Sequence, residues 1–442
     1  MNLKQAIQNA SPTPIIAAGQ TLKIRSFPLN RWLIKRNRYS RKTVKVLAGE
    51  GNSAPRQPDK LAEYIAASTV LHCTDGWTFF SHAIDSLLSG DSATCVFMAY
   101  YAQIRAVMSF MASEGIGIFK SKHFWFDNRG GCNSFNGGTH KVVCDLISEW
   151  AVFPSKGARL LSIINFENRS FAEWVSSAEI SLGSPAVNRL AREWLVAWSI
   201  DLDVLSQDHD IRNEASYRPQ RVYPYSQHNL LEENLSRLIQ IWRASEPAGS
   251  NRFSLLDLHL LKNTLKSIYR NHTGKEARGK RYALFIQNAI GNLGLSLDGH
   301  LVDFLSSSET IPNHPILKEA KKKGEYEDGN IRALPVISRA YLLLRLASAA
   351  TQDFLIKSSI EKDDLLFWWA ELGNDMGLWV PGELPDQMTD LWDDVKDSVD
   401  AIEDWYYQNN GQISVLKARQ DLPLDYWRVK QFNRAGLWAI GI

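Results

Sequence analysis

The sequence is short of cysteine, of the spaced glycines of nucleotide-binding loops and of net charge, and each shortage narrows the function. Its four cysteines, Cys73, Cys95, Cys132 and Cys144, form no C-x-x-C pair. A disulfide framework is therefore not expected, and a reducing cytoplasm is. No uncharged apolar run reaches the roughly 18 residues that a bilayer span needs. The N-terminal apolar patch from Ile15 to Ala18 follows Pro12 and Pro14 and does not read as a secretory signal. A cytoplasmic protein without a membrane partner is the expectation. Gly-x-Ser-x-Gly and His-Glu-x-x-His are missing, which removes the common serine hydrolases and zinc proteases. The glycine-rich stretch Arg129–His140 lacks the Gly-Lys-Ser/Thr close of a phosphate loop and reads as a flexible loop. No cofactor and no metal are expected. A formal net charge of +2 names no partner.

What the chain does hold is helix. Ser92–Glu114 is apolar on nearly every side, with Asp91 or Ser92 to cap it and Gly115-Ile116-Gly117 to end it, the pattern of a central buried helix. Ala62–Leu71 and Trp77–Leu88 read as two further helices. Thr139 is a candidate cap for the helix through Val142, Leu146 and Trp150. A helix starting near Ser184-Pro185 runs through Trp194, Trp198, Leu202 and Leu205 toward Arg212, and Pro219 stops it. Ile337–Phe354 is a long apolar helix crossed by Arg339 and Arg345. The scarcity of alternating runs argues for an all-α, multi-helix fold. At 442 residues more than one domain is expected. The divisions are an irregular basic arm over 1–60, with short strands at Leu22–Ile24 and Thr43–Leu47, a helical domain over 61–246, and a second helical domain over 251–442. The arm is expected to dock through Trp32 and Tyr39.

Charge is unevenly placed. Lys23 to Lys60 holds eleven Lys/Arg against two acids, and Glu361 to Asp404 holds fourteen Asp/Glu against two bases. The basic front, with Lys35, Arg36 and Arg38 interleaved with aromatics, suits a phosphate backbone. A second basic run includes Lys262, Lys266, Arg270, Lys275, Arg278, Lys280 and Arg281, opposed only by Glu276. The plainer reading of both is a solvated surface.

The most specific stretch is Asp210-Ile211-Arg212-Asn213-Glu214-Ala215-Ser216-Tyr217. Its Arg-Asn pair, with a hydroxyl residue five positions after the arginine, resembles the Arg-polar-x-x-x-His signature of HEPN-type helical domains. Many of those are RNA-cutting toxins or defence proteins. Arg212 and Asn213 match the signature, and Tyr217 stands where the family has histidine. The Ala99–Gly117 segment also looks like a helix of uncharacterised proteins from bacterial defence islands. The resemblance implies metal-independent cleavage of RNA, with Arg212 against the phosphate charge, and a cleft that two protomers often build together. A homodimer, or a protein partner in a defence complex, is the matching expectation. Tyrosine is a weak base near neutral pH. Positions five apart also diverge by about 140° on one helix, so His209, one turn before Arg212, is a substitute base. The competing structural reading has Arg212 at a helix end, bonding the last carbonyls and pairing with Asp208. Arg105, within the apolar helix, either reaches a wet cleft, the same one as Arg212, or is a structural charge paired with Glu114 or Asp85. A metal set drawn from His123, Cys132, His140 and Cys144 has no standard spacing. The non-enzymatic alternative is a helical scaffold or sensor that docks partners through its basic and acidic faces.

Overall fold

A computed structural model describes residues 3–24, 32–33, 36–50, 55–178, 189–217, 228–296, 299–307, 314–324, 332–409 and 415–441, and statements of absence below concern these. The fold is all-α in class, with two small antiparallel sheets. The described part of the N-terminal segment is largely helical where an irregular arm with two short strands is the expectation. It forms helices α1 (Leu3–Asn9), α2 (Thr13–Ile24) and α3 (Thr43–Gly49). Pro14 suits the first turn of α2, and Leu22–Ile24 is its last turn rather than a strand. Short apolar runs such as these do not distinguish strand from helix by pattern alone.

The centre of the molecule is three long helices. In α4 (Pro58–Leu88) the two expected helices are continuous through Gly76. A Cβ at Gly76 would lie 2.7 Å from Leu344, so glycine there lets α4 approach its neighbour closely. In α5 (Ser92–Ser113) the Asp91 side chain caps the start by accepting from the Thr94 amide at 3.0 Å, and Gly115 follows with φ +92°. Three short strands come next: β1 (Ile116–Gly117), β2 (Lys122–Phe126) and β3 (Cys132–Asn136). They pair in order, with Phe124 opposite Ser134. The stretch expected as a flexible loop is thus half strand. Asp127 makes its turn by accepting from the Arg129 and Gly131 amides.

Helices α6 (Thr139–Ala151) and α7 (Lys156–Ile163) follow, then β4 (Asn165–Phe166), β5 (Arg169–Ser170) and α8 (Phe171–Ser177). The single helix expected from Ser184 to Arg212 is two: α9 (Ala191–Ala197) and α10 (Leu202–Tyr217). Ser199, at φ +68°, breaks the backbone between them. Pro219 lies outside the described residues. Beyond these come α11 (His228–Ser245), α12 (Ser254–Thr273), α13 (Gly279–Asn292), α14 (Gly299–Ser306), α15 (Pro315–Ala320) and α16 (Ala333–Lys357). The chain ends through α17 (Leu366–Met376), α18 (Leu391–Gln408), α19 (Val415–Asp421), α20 (Pro423–Arg428) and α21 (Asn433–Ala439).

By length and composition α5 and α16 are apolar enough to cross a membrane, but 78% and 94% of their apolar windows lie inside the fold. Both pack on α4 and on each other, which explains why neither has a polar face. The stretches 61–246 and 251–442 share one hydrophobic core: α16 and α21 pack on α4, and Phe432 stacks on Trp242 with centroids 3.8 Å apart. Trp32 docks edge-on against Phe367 and Trp368, and Tyr39 is buried with its hydroxyl on Glu50.

Both arginines of α16 are buried and paired. Arg339 meets Asp208 of α10 in a two-pronged ion pair, at 2.8 and 2.5 Å, and donates to the Ala320 and Lys322 carbonyls. Arg345 makes the same kind of pair with Asp257 of α12, at 2.8 and 2.9 Å. A buried pair of this geometry compensates its own desolvation, whereas loss of one partner costs about 3–5 kcal/mol. These pairs fix α10 and α12 against the central helix.

Candidate active site: histidines, tyrosines and Arg212 beside a cleft

Helix α10 leaves the core pair at Asp208 and reaches the surface one residue later. Gln103 of α5 also donates to Asp208, at 2.9 Å, so the register of α10 against α5 is held from two sides. The result faces His209 and Arg212 toward the polar aromatic residues of α5. Arg212 donates to the Tyr101 hydroxyl at 2.8 Å and to its neighbour Asn213 at 2.9 Å. Its guanidinium lies 5.0 Å from the Phe97 ring, 5.3 Å from Tyr101 and 6.0 Å from Tyr100. Cation–π contacts of this kind hold a cation by about 0.5–2 kcal/mol without neutralising it. Among the described residues no carboxylate pairs with Arg212. The expected Asp208–Arg212 pair does not form, because Asp208 is taken by Arg339.

His140, the second residue of α6, completes the cluster. Its Nδ1 is 3.2 Å from the Tyr100 hydroxyl, and its ring lies 5.6 Å from that of His209. His140 is half-buried, and burial together with the nearby Arg212 and His209 pushes its pKa below the ordinary histidine value. His209 is 38% exposed, with Nδ1 3.5 Å from Asp210. The start of α6 is held by the small sheet. Thr139 donates to the Phe119 and Lys120 carbonyls instead of capping its helix. His123 accepts from the Phe119 amide and bonds the Gly137 carbonyl.

The cluster borders a cleft of about 310 Å³ between α4, α5 and the first strand, with Tyr101 and His140 in its wall. Tyr64 and Phe119 form an aromatic side, their centroids 5.8 Å apart. Arg105 projects into the cleft. Its partners are neither Glu114 nor Asp85: its Nη1 donates to His72 Nδ1 at 2.8 Å and lies 3.6 Å from Asp75. Burial, and secondarily the Arg105 charge, lower the His72 pKa to about 3, so the ring is neutral and accepts that bond. Glu114 is buried elsewhere, bound by Lys156 and Arg159 at 2.8 Å each, and Asp85 pairs with Lys430. Val44 of α3 lines the cleft mouth, and Arg41, Lys42 and Lys45 are exposed on or beside that helix.

Of the residues singled out by sequence, Arg212, Asn213 and His209 come together. Tyr217, at the end of α10, is 81% exposed and joins none of these contacts among the described residues. Lys35 lies outside the described residues. Arg36 is exposed, while Arg38 pairs with the buried Glu50 at 2.9 Å. Lys275, Arg278, Lys280 and Arg281 are exposed around the α12–α13 turn, and none of them lines the cleft. Lys262 and Lys266, read with them as one patch, are buried instead. The candidate metal set does not assemble: His123 spends both nitrogens on backbone and Cys144 packs in a small apolar cavity with Val107 and Leu205. Among the described residues no group of three or more His, Cys, Asp or Glu could hold a metal ion, and all four cysteines are free.

His140, Tyr100 and Tyr101 were not singled out as partners of Arg212. A signal was present in the two adjacent tyrosines of an otherwise apolar helix, with Arg105 one turn after Tyr101. The chain matches no family model, no curated protein and no solved structure.

Proposed function

We propose that this protein is a metal-independent endoribonuclease of HEPN-like type, in which the histidine missing at Tyr217 is supplied in space by His140 and His209. One observation carries the reading: two imidazoles 5.6 Å apart share a surface with an arginine that no described carboxylate neutralises. Cleavage through the ribose 2′-hydroxyl needs a base, an acid and a cation against the phosphorane charge. His140 suits the base, since its lowered pKa keeps it unprotonated at neutral pH. In the tautomer required, Nδ1–H donates to the Tyr100 hydroxyl and the Nε2 lone pair takes the 2′-hydroxyl proton. The 2′-oxygen then attacks phosphorus and the bond to the 5′-oxygen breaks. His209, on the open side, returns a proton to that leaving oxygen. Arg212 balances the added negative charge, held in place by Tyr101 and the rings around it. The cations on and beside α3 would steer the RNA backbone to the cleft.

The test is cleavage of matched RNA and DNA oligonucleotides, with and without EDTA, by the wild type, Arg212→Ala and His140→Ala, with folding followed by circular dichroism. EDTA-resistant cutting of RNA alone, leaving 2′,3′-cyclic phosphate ends, is expected. Each variant should lose about 10²–10³-fold in rate while remaining folded. Cutting of DNA, a metal requirement or undiminished variants would refute the mechanism. A folded protein that cuts nothing would favour a scaffold. The exposed acids Asp393, Asp397 and Asp404 on α18 are the surface such a scaffold would offer to a basic partner.

A further inference from the structure

Beyond the cluster, the cleft holds chemistry that strand scission does not use. Arg105 stands one turn after Tyr101 on α5, about 6 Å along the axis. Both face the same cleft, Tyr101 next to the cluster and Arg105 further in. The guanidinium is oriented from one end only. His72 and Asp75 engage Nη1, and among the described residues Nε and Nη2 have no protein partner. His72 Nδ1 accepts from Nη1 and fixes the guanidinium, which leaves Nε and Nη2 as the two donors of Arg105. The Ser68 hydroxyl donates its hydrogen to the Tyr64 carbonyl at 2.7 Å, so it offers only lone pairs to the cleft. These two donors share the cleft with an aromatic side made by Tyr64 and Phe119, whose rings are tilted 34° to each other.

That is the arrangement a single-stranded nucleic acid base needs. The ring stacks on an aromatic face, and its edge is read by fixed donors. Two donors on neighbouring nitrogens match an edge with two adjacent acceptors. Guanine presents O6 and N7, whereas adenine puts an amino donor beside N7. The cleft volume of about 310 Å³ admits a bicyclic base with its ribose. His140 lines the same cleft, so on the nuclease reading a base held there would have its 3′-phosphate beside the cluster.

We infer that the cleft is a base-specificity pocket that takes a guanine on the 5′ side of the scissile phosphate, with Arg105 reading its O6/N7 edge and His72 acting as the positioning residue for Arg105. The inference rests on the nuclease reading for the placement of the phosphate. It can be read without any cleavage.

Calorimetric titration with the four nucleoside 3′-monophosphates and with 5′-GMP is the experiment. The wild type should bind 3′-GMP at least about tenfold more tightly than the other 3′-nucleotides and than 5′-GMP. Arg105→Gln should bring all four 3′-nucleotides to similar affinity. Val44→Trp, which fills the mouth from an exposed position, should weaken all of them about tenfold or more and leave melting unchanged. Equal affinities in the wild type, a guanine preference that survives Arg105→Gln, or tighter binding of 5′-GMP would overturn the inference. RNA cleavage measured in parallel separates the two readings. Cutting without base preference sinks the guanine pocket and spares the nuclease. Guanine-selective binding without cutting sinks the nuclease and leaves the pocket standing.

Discussion

Asp208 and Arg212 lie one turn apart on α10 and carry their charges in opposite surroundings. Asp208 is wholly buried, met by both prongs of Arg339 and by Gln103. Arg212 is half-exposed, touched by one hydroxyl, one amide oxygen and three rings, and its Nε is buried without a partner. The first charge is cancelled where it stands, and its work is to fix geometry. The second is positioned but left uncancelled, beside two histidines and a cleft. A partly buried charge without a counter-charge costs stability, and such charges cluster at functional sites. A single helix thus separates a cancelled charge from one that no described carboxylate cancels within about 6 Å of rise.

The sharpest way to break the comparison is to strip each charge of its partner. Asp208→Ala leaves Arg339 buried and unpaired, and should lower stability by about 3–5 kcal/mol in urea unfolding. Loss of less than about 1 kcal/mol would mean that water or backbone carbonyls replace the carboxylate at no cost. The next effect is on proton affinity. The charge of Arg212 disfavours the His140 imidazolium, so its removal should raise the His140 pKa toward the ordinary value. In Arg212→Gln the His140 Cε1–H resonance should titrate at higher pH than in the wild type. An unmoved midpoint would place the guanidinium away from the ring in solution. The smallest effect belongs to Tyr217→Phe. With the ring exposed and outside the cluster, stability should change by no more than about 0.5 kcal/mol, and cleavage should stay within about twofold. A large loss of activity would return Tyr217 to the site.

The apolar helices were legible because burial on every side leaves a composition that no surface helix has. The ends of α5 were legible too, from Asp91 and Gly115. What the sequence hid was of two kinds. The break at Ser199 has no glycine or proline to announce it. It is set by how Trp194 and Trp198, both fully buried, pack around it. The strands Lys122–Phe126 and Cys132–Asn136 are five residues each, too short for alternation to outweigh the glycines beside them. The site itself was half legible. Arg212 and His209 share a helix and a motif, so spacing brings them together. His140 arrives from another helix, and the Asp208–Arg339 pair spans 131 residues. Such contacts follow from the packing of α5, α6, α10 and α16, which local pattern does not encode. The same holds for Arg105, whose partner turned out to be His72 rather than the acids nearest in pattern.

The two ion pairs of α16 also set an order of events during synthesis. Asp208 and Asp257 leave the ribosome well before Arg339 and Arg345, which share one helix six positions apart. Until that helix is made, the faces of α4 and α5 that it covers lack their partner and Asp208 has no counter-charge. His209 and Arg212 then ride on a helix whose register is held from the α5 side alone, through Gln103 and Tyr101. A nascent chain that ends short of Arg339 would carry the cluster's residues without the ion pair that anchors Asp208. On the nuclease reading the cluster is anchored only after Arg339 has emerged to meet Asp208.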